Sequence, residues 1–115
     1  MQPFAYARPA TLDEAIDILR EHGDAARVLA GGTDLVINLR DGSVRPSVVM
    51  DVKRIPELAP GIRSSGDGTL VIGATTTMTQ LMTHPVIRRD LAALAESAAV
   101  VGSVQIRNRA TLAGN

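Results

Sequence analysis

The sequence predicts a single α+β domain, and three observations support this fold class. Helical and strand-like patterns alternate along the first half of the chain, whereas a glycine-rich hairpin and several helices fill the second half. Hydrophobic residues make up 45% of the 115 residues and charged residues 21%, which is typical of a globular domain with a genuine core. No internal repeat, low-complexity run or linker divides the chain, so one domain over residues 1–115 is expected.

The first half of the chain is predicted to hold two helices and two strands. Thr11 begins a capping-box pattern ahead of an amphipathic helix, for which Gly23 is a natural stop. A short apolar run at 27–30 predicts a buried strand that ends at a pair of glycines, and a short helix is expected from Leu35. Residues 47–52 predict a second strand.

The second half of the chain is predicted to begin with a β-hairpin. Residues 66–68 (Gly-Asp-Gly) lie between the segments 61–65 and 69–73 and form a strong hairpin signal. Thr77 is expected to cap a helix that Pro85 breaks or restarts, and Asp90 is expected to begin a helix rich in alanine and leucine. The tail, residues 103–115, is interpreted as a polar stretch that ends in a glycine turn.

The composition excludes several classes of protein. The 12 lysines and arginines equal the 12 aspartates and glutamates, so no net field attracts nucleic acid or an anionic membrane. The absence of cysteine excludes disulfides, iron–sulfur ligation and thiolate zinc sites, and no other metal site is predicted. No apolar stretch approaches the roughly 20 residues of a membrane span, and the N-terminus has no signal-peptide pattern. A cytoplasmic protein is therefore expected.

The most informative segment is Ala30–Leu35, with the sequence A-G-G-T-D-L. Glycines let backbone N–H groups approach an anion, the start of a helix adds further donors, and the hydroxyl of Thr33 can donate to a phosphate oxygen. Asp34 is expected to cap the helix or to accept from ribose hydroxyls. A plain strand-to-helix turn, capped by Thr33 or Asp34, explains the same residues. Neither the dinucleotide-binding nor the P-loop glycine pattern is present.

A second segment closes the chain. Residues 111–115 (T-L-A-G-N) place a hydroxyl, a glycine and an amide side by side, which supplies both donors and acceptors to a polar ligand. Taken alone, this segment is more often a turn than a binding site. Arg107 and Arg109 lie just before it and suit contact with either a phosphate or a partner.

Together, these segments resemble the FAD-binding subunit of the molybdenum hydroxylases, a family that includes the medium subunits of carbon monoxide dehydrogenase and relatives of xanthine dehydrogenase. The resemblance spans essentially the whole chain in the right order. The matching motifs are A-G-G-T-D-L at 30–35, Q-I-R-N at 105–108, T-L-A-G-N at 111–115, F-x-Y-x-x-P at 4–9, the helix at 11–19 and V-I-G-A-x-T at 71–76.

The resemblance implies the N-terminal lobe of a vanillyl-alcohol-oxidase-like (PCMH-type) FAD-binding domain, truncated before the flavin site is complete. The first glycine loop would line the FAD pyrophosphate, and Ala113 stands where the family's T-x-G-G-N has its first glycine. If that position needs a positive φ, alanine is unfavourable there. The FAD-binding residues implied by the resemblance are Ala30, Gly31, Gly32, Thr33, Asp34, Leu35, Val101, Thr111, Gly114 and Asn115, with Ala74 and Thr76 as further candidates.

The chemistry implied by the resemblance is electron transfer in an oxidoreductase. A partner large subunit would carry the molybdenum cofactor, and a small subunit would carry [2Fe–2S] clusters that pass electrons to FAD and on to an external acceptor. The protein would hold and tune the flavin, so no catalytic acid, base or nucleophile is assigned. Two alternatives remain: a lobe that folds or self-associates without any cofactor, and a small phosphate- or nucleotide-binding module built on the first glycine loop.

Overall fold

A computed structural model describes all residues from 1 to 115 and shows two compact units, residues 1–59 and residues 60–115. None of its helices has the length and apolar character needed to cross a membrane. The first unit contains β1 (Ala5–Ala7), α1 (Leu12–His22), β2 (Ala26–Leu29), α2 (Leu35–Asp41) and β3 (Val48–Asp51). The second unit contains β4 (Ile62–Ser64), β5 (Leu70–Ile72), α3 (Met78–Thr83), α4 (Pro85–Asp90), α5 (Ala92–Ala99) and α6 (Val104–Arg107).

The first unit is built on a parallel three-stranded sheet in the order β1-β3-β2. β3 lies in the centre and all four of its residues are buried, the apolar residues 48–50 and also Asp51 at its end. The prediction that β2 is buried was wrong, because β2 is an edge strand and Val28 keeps 49% of its surface exposed. β1 was not predicted, since a three-residue strand with mostly exposed side chains gives no periodic signal.

The predicted helix of the first unit is confirmed as α1. The Thr11 hydroxyl accepts from the Glu14 N–H at 3.1 Å, while the Glu14 carboxylate accepts from the Ala10 N–H at 2.9 Å instead of from Thr11. The helix ends at Gly23, whose N–H donates to the Leu19 carbonyl and whose φ is +50°. Its buried face contributes to a small core, which consists of Ala15, Met50, Val52 and Ile55.

The hairpin predicted in the second unit is confirmed. β4 and β5 pair in antiparallel register, with Ile62 opposite Ile72. In the turn, a carboxylate oxygen of Asp67 accepts from the Ser65 hydroxyl at 2.7 Å and from the Thr69 N–H at 2.9 Å. These hydrogen bonds lower the pKa of Asp67 to about 2, so its charged form fixes the turn at neutral pH.

Four short helices follow the hairpin. Thr77 and Gln80 form a complete capping box at the start of α3, and Pro85 restarts the chain as α4, both as predicted. The start predicted at Asp90 was wrong: Asp90 is the last residue of α4, and α5 begins two residues later. α6 was not predicted, because its four residues lie in a segment that looks polar and irregular. The core of this unit consists of Met78, Leu81, Ala98 and Ala110.

Candidate cofactor site

The first loop, residues 30–35, connects the end of β2 to the start of α2. The backbone N–H groups from Gly31 to Leu35 donate to no acceptor within the chain. Residues 31–33 are partly buried, and Asp34 is exposed. Unpaired backbone donors have to be satisfied by water or by a ligand, so this run forms a cradle that suits an anion with several oxygens.

Gly32 is the conformationally special residue of the first loop. Its φ is +77°, and a Cβ placed there would come within 3.1 Å of Leu29 Cδ1 and 3.2 Å of Val36 Cγ2. Its carbonyl accepts from the Val36 N–H at 3.1 Å, which starts the first turn of α2. Gly31 is not among the glycines with positive φ. The sharp turn therefore depends on Gly32.

The prediction that Asp34 caps α2 was wrong. Asp34 occupies the N-cap position, but its φ and ψ are already helical and its side chain makes no capping hydrogen bond. A capping side chain needs an extended backbone at this position to reach the N–H groups of the first turn. The donors at the start of α2 are consequently left unsatisfied, and the Asp34 carboxylate projects from an exposed residue.

A cluster around Asp51 supports the first loop and was not predicted. The Lys53 ammonium donates to the Ala30 carbonyl at 3.0 Å and pairs with Asp51 Oδ1 at 2.9 Å. The Tyr6 hydroxyl donates to Asp51 Oδ2 at 2.5 Å, and Arg8 Nε lies 3.9 Å from the same oxygen. Asp51 itself is only 4% exposed. Its sequence signal, a D-x-K pattern at the end of a buried strand, gives no indication that the lysine reaches the first loop.

The environment of Asp51 favours its charged form. Burial would raise the pKa of Asp51, but hydrogen bonds from the Tyr6 hydroxyl and from Lys53 outweigh burial and hold that pKa below its ordinary value. The hydrogen bond from the Tyr6 hydroxyl to Asp51 raises the pKa of Tyr6, because the carboxylate holds the phenolic proton. The cluster therefore surrounds a buried anion with two cations, Lys53 and Arg8, and the neutral hydroxyl of Tyr6.

This pKa shift predicts how stability depends on pH. A carboxylate whose folded pKa is lowered stabilises the folded state above its unfolded pKa and loses that contribution as the pH falls through its folded value. We expect the difference in free energy of unfolding between the native chain and Asp51→Asn to be constant above about pH 5 and to shrink below 3.8, the ordinary value for Asp51. Urea unfolding of both chains at several pH values measures this difference. A difference that grows on acidification would contradict a lowered pKa for Asp51.

The second loop, residues 111–115, is held by backbone pairing to residues 74–78. The Leu112 N–H donates to the Thr76 carbonyl at 2.9 Å and the Ala113 N–H to the Ala74 carbonyl at 3.1 Å. Thr111 is buried, and its hydroxyl accepts from the Gly114 N–H at 3.2 Å. Gly114 and Asn115 are exposed at the end of this turn.

Ala113 fits the second loop without strain. No residue other than glycine has a positive φ, and Gly114 is not among the glycines that do. Position 113 therefore does not need a positive φ, the one condition under which alanine would be unfavourable there. The loop keeps its course through the hydrogen bonds of Leu112 and Ala113, which any residue with a backbone N–H can make.

The remaining candidates lie in the second unit and play structural parts there. Val101 and Leu112 both pack against the core of this unit. Arg107 donates to the carbonyls of Val101 and Gly102, each at 3.2 Å, so it fixes the turn before α6. Arg109 is exposed. The structure thus brings Ala74, Thr76, Val101 and the second loop together within the second unit, whereas the first loop belongs to the first unit.

Thr76 is expected to contribute to stability through its hydroxyl. It is fully buried, and its Oγ1 accepts from the Gly61 N–H at 3.0 Å and donates to the Gly61 carbonyl at 3.2 Å. Thr76→Val removes both bonds at nearly constant volume, so we expect the free energy of unfolding to fall by about 1–3 kcal/mol. The exposed Thr83→Val is the control, with an expected change within about 0.5 kcal/mol. Chemical denaturation measures both variants, and equal losses in the free energy of unfolding for Thr76→Val and Thr83→Val would refute a special role for the Thr76 hydroxyl.

Comparison with known proteins identifies the relatives of this chain. It is 44% identical to the nicotinate dehydrogenase FAD-subunit of Eubacterium barkeri, over 100% of this chain and 38% of the relative. It is 38% identical to the carbon monoxide dehydrogenase medium chain of Hydrogenophaga pseudoflava, over 97% of this chain and 38% of the relative. The chain therefore spans well under half the length of these relatives.

Solved structures agree with the sequence comparison. Carbon monoxide dehydrogenase from Hydrogenophaga pseudoflava superposes with a TM-score of 0.89 at 39% identity, covering 99% of this chain and 40% of that chain. Quinoline 2-oxidoreductase from Pseudomonas putida 86 superposes with a TM-score of 0.86 at 34% identity, over 98% and 39%. The predicted fold class, an α+β lobe of this type of FAD-binding domain, is confirmed.

The family described as FAD binding domain in molybdopterin dehydrogenase matches residues 2–115. The match extends over nearly the whole chain and includes both loops and the segment that pairs with the second one. It confirms the resemblance that the motifs indicated, and with it the predicted cofactor. This chain belongs to the family of FAD-binding domains found in molybdopterin dehydrogenases.

Proposed function

We propose that this chain supplies part of the FAD site of an electron-transfer subunit in a molybdenum-containing dehydrogenase. The observation that carries the proposal is the run of unpaired N–H groups from Gly31 to Leu35 in a member of a FAD-binding family. FAD carries a pyrophosphate, and backbone donors arranged around a glycine turn are a common way to bind such a group without net positive charge. The balanced charge of the chain agrees with that mode of binding.

The residues divide between the two loops. In the first loop, Ala30 to Leu35 would receive the pyrophosphate through backbone N–H groups, with the Thr33 hydroxyl as a further donor and the Asp34 carboxylate as an acceptor for ribose hydroxyls. In the second loop, Thr111, Gly114 and Asn115 would present polar groups, with Val101 close by in the same unit. When bound, FAD supplies the redox chemistry, and the protein holds and orients it.

The partners follow from the same proposal. The relatives carry the names FAD-subunit and medium chain, which are names of components of larger assemblies. We place this chain in a cytoplasmic assembly with a large subunit that carries the molybdenum cofactor and a small subunit that carries [2Fe–2S] clusters. Electrons would pass from the clusters to FAD and from FAD to an external acceptor. The absence of cysteine in this chain is consistent with clusters held by a partner.

A titration with three ligands tests the proposal. The purified chain is added to FAD, ADP or riboflavin, with flavin fluorescence and calorimetry as readouts. Binding of FAD and of ADP, with weaker binding of riboflavin, is the expected result, because the first loop would recognise the pyrophosphate that FAD and ADP share. Binding of ADP as tight as that of FAD would favour the simple nucleotide module. No binding of any ligand, with a folded chain by circular dichroism, would favour a lobe that binds no cofactor by itself.

A further inference from the structure

We propose that Lys53, held in place by Asp51, is a positioning residue that aims the Gly31 N–H of the first loop. The inference rests on the proposed function, because it assigns the loop to the FAD pyrophosphate. It concerns a lysine outside both loops, on the segment that follows β3. Its geometry lies entirely within the first unit.

The contacts of Lys53 define a bracket between two strand ends. Its ammonium is 2.9 Å from Asp51 Oδ1 and 3.0 Å from the Ala30 carbonyl oxygen, and its own N–H donates to Asp51 Oδ1 at 2.9 Å. The Val52 N–H donates to the Leu29 carbonyl at 3.1 Å, immediately before the loop. The carbonyls of Leu29 and Ala30, where β2 passes into the loop, are therefore both held by the segment that follows β3.

The peptide between Ala30 and Gly31 transmits this contact to the loop. A trans peptide is planar, and its C=O and N–H point in opposite directions; no peptide in the chain is cis. When the Lys53 ammonium holds the Ala30 oxygen, the Gly31 N–H is directed away from Lys53. The positive charge of the ammonium at the Ala30 carbonyl also polarises that N–H. Gly31 is one of the unpaired donors of the first loop, so the direction of its N–H helps to set the shape of the cradle.

The same geometry argues against Lys53 as a direct phosphate ligand. Its ammonium contacts the carbonyl side of the Ala30–Gly31 peptide, opposite the N–H that the ligand would meet. Its charge is also compensated by the carboxylate of Asp51, which is buried and further held by the Tyr6 hydroxyl at 2.5 Å. A lysine that bound phosphate itself would have to leave both of these partners.

The two possible roles make opposite predictions for Asp51→Asn. If Lys53 positions the loop, losing the carboxylate releases the bracket and weakens binding. If Lys53 contacts phosphate directly, losing the competing carboxylate frees the ammonium and strengthens binding. Lys53→Met weakens binding in either case, so Asp51→Asn separates the two roles. Lys53→Arg retains a cation with several donors, so this variant should keep FAD affinity near that of the native chain.

The experiment compares these variants with the exposed neighbour Arg54→Met, which removes the same charge outside the bracket. FAD affinity is measured by fluorescence titration. We expect Lys53→Met and Asp51→Asn each to weaken FAD and ADP binding by about three- to tenfold, the loss corresponding to one intramolecular hydrogen bond. Riboflavin binding should be unchanged, and Lys53→Arg and Arg54→Met should remain within about twofold of the native chain.

A second measurement needs no ligand. In amide NMR spectra of the free chain, Lys53→Met should shift the Gly31 amide and lower its heteronuclear NOE, whereas Arg54→Met should leave it unchanged. Tighter FAD binding in Asp51→Asn, or an unperturbed Gly31 amide in Lys53→Met, would overturn the inference. If the native chain binds no FAD, the proposed function fails for this chain, and the amide spectra still decide whether the bracket positions the loop.

Discussion

Gly32→Val is expected to weaken FAD binding by roughly 30- to 1000-fold while the first unit remains folded. The native φ of +77° is strongly unfavourable for a β-branched residue, at about 1–2 kcal/mol or more. A Cβ would also meet Leu29 Cδ1 at 3.1 Å and Val36 Cγ2 at 3.2 Å, and such overpacking costs about 1–3 kcal/mol. The loop relieves this strain by changing course, which misdirects the donors from Gly31 to Leu35.

The matched control for this prediction lies at the other end of the same helix. Gly42 follows α2 with a φ of +80°, and a Cβ there has only ordinary contacts with the flexible Arg45 side chain. Gly42→Val thus introduces similar backbone strain far from the donors. FAD titration and thermal unfolding of both variants separate binding from folding. Equal FAD affinities in Gly32→Val and the native chain would exclude the first loop as the pyrophosphate site.

Leu81→Ala is expected to reduce the free energy of unfolding of the second unit by about 2–5 kcal/mol. Leu81 is completely buried on α3 and packs in the core with Met78, Ala98 and Ala110. Truncating its isobutyl side chain to a methyl group leaves a cavity that short, closely packed helices fill only in part. Because Ala110 directly precedes the second loop and Leu112 packs on the same core, the variant should also loosen that loop.

Urea unfolding measures the loss, and Leu91→Ala is its control. Leu91 lies between α4 and α5 and keeps 41% of its surface exposed, so the same truncation removes far less buried area. We expect a loss below about 1.5 kcal/mol for Leu91→Ala. Similar losses in the two variants would show that the second unit lacks the close packing described for its core.

Local signals made much of the fold predictable. The capping patterns at Thr11 and Thr77 and the Gly-Asp-Gly turn act within a few residues, so they mark their elements whatever the tertiary context. β3 was also predictable, because a central parallel strand shows a run of apolar residues, here 48–50. Both loops were recognised from their glycines and from the order of motifs along the chain.

Features that depend on distant partners were not predictable. The exposure of Val28 follows from the edge position of β2, which is set by the pairing of β2 with β3. The contact between Lys53 and the Ala30 carbonyl joins residues 23 positions apart and has no sequence pattern of its own. The failed capping role of Asp34 has a different, local origin, because its backbone is already helical and its side chain makes no capping hydrogen bond.

The backbone pairing of the second loop bears on how related chains are recognised. Ala113 holds its place through an N–H directed at the Ala74 carbonyl, and its side chain takes no part in that bond. A sequence pattern that demands glycine at this position would exclude this chain, although the backbone at Ala113 has no positive φ that would require glycine. A pattern that asks for extended pairing between residues 110–113 and 74–78 would retain it. In this chain, the course of the second loop therefore follows from backbone pairing and does not require glycine at position 113.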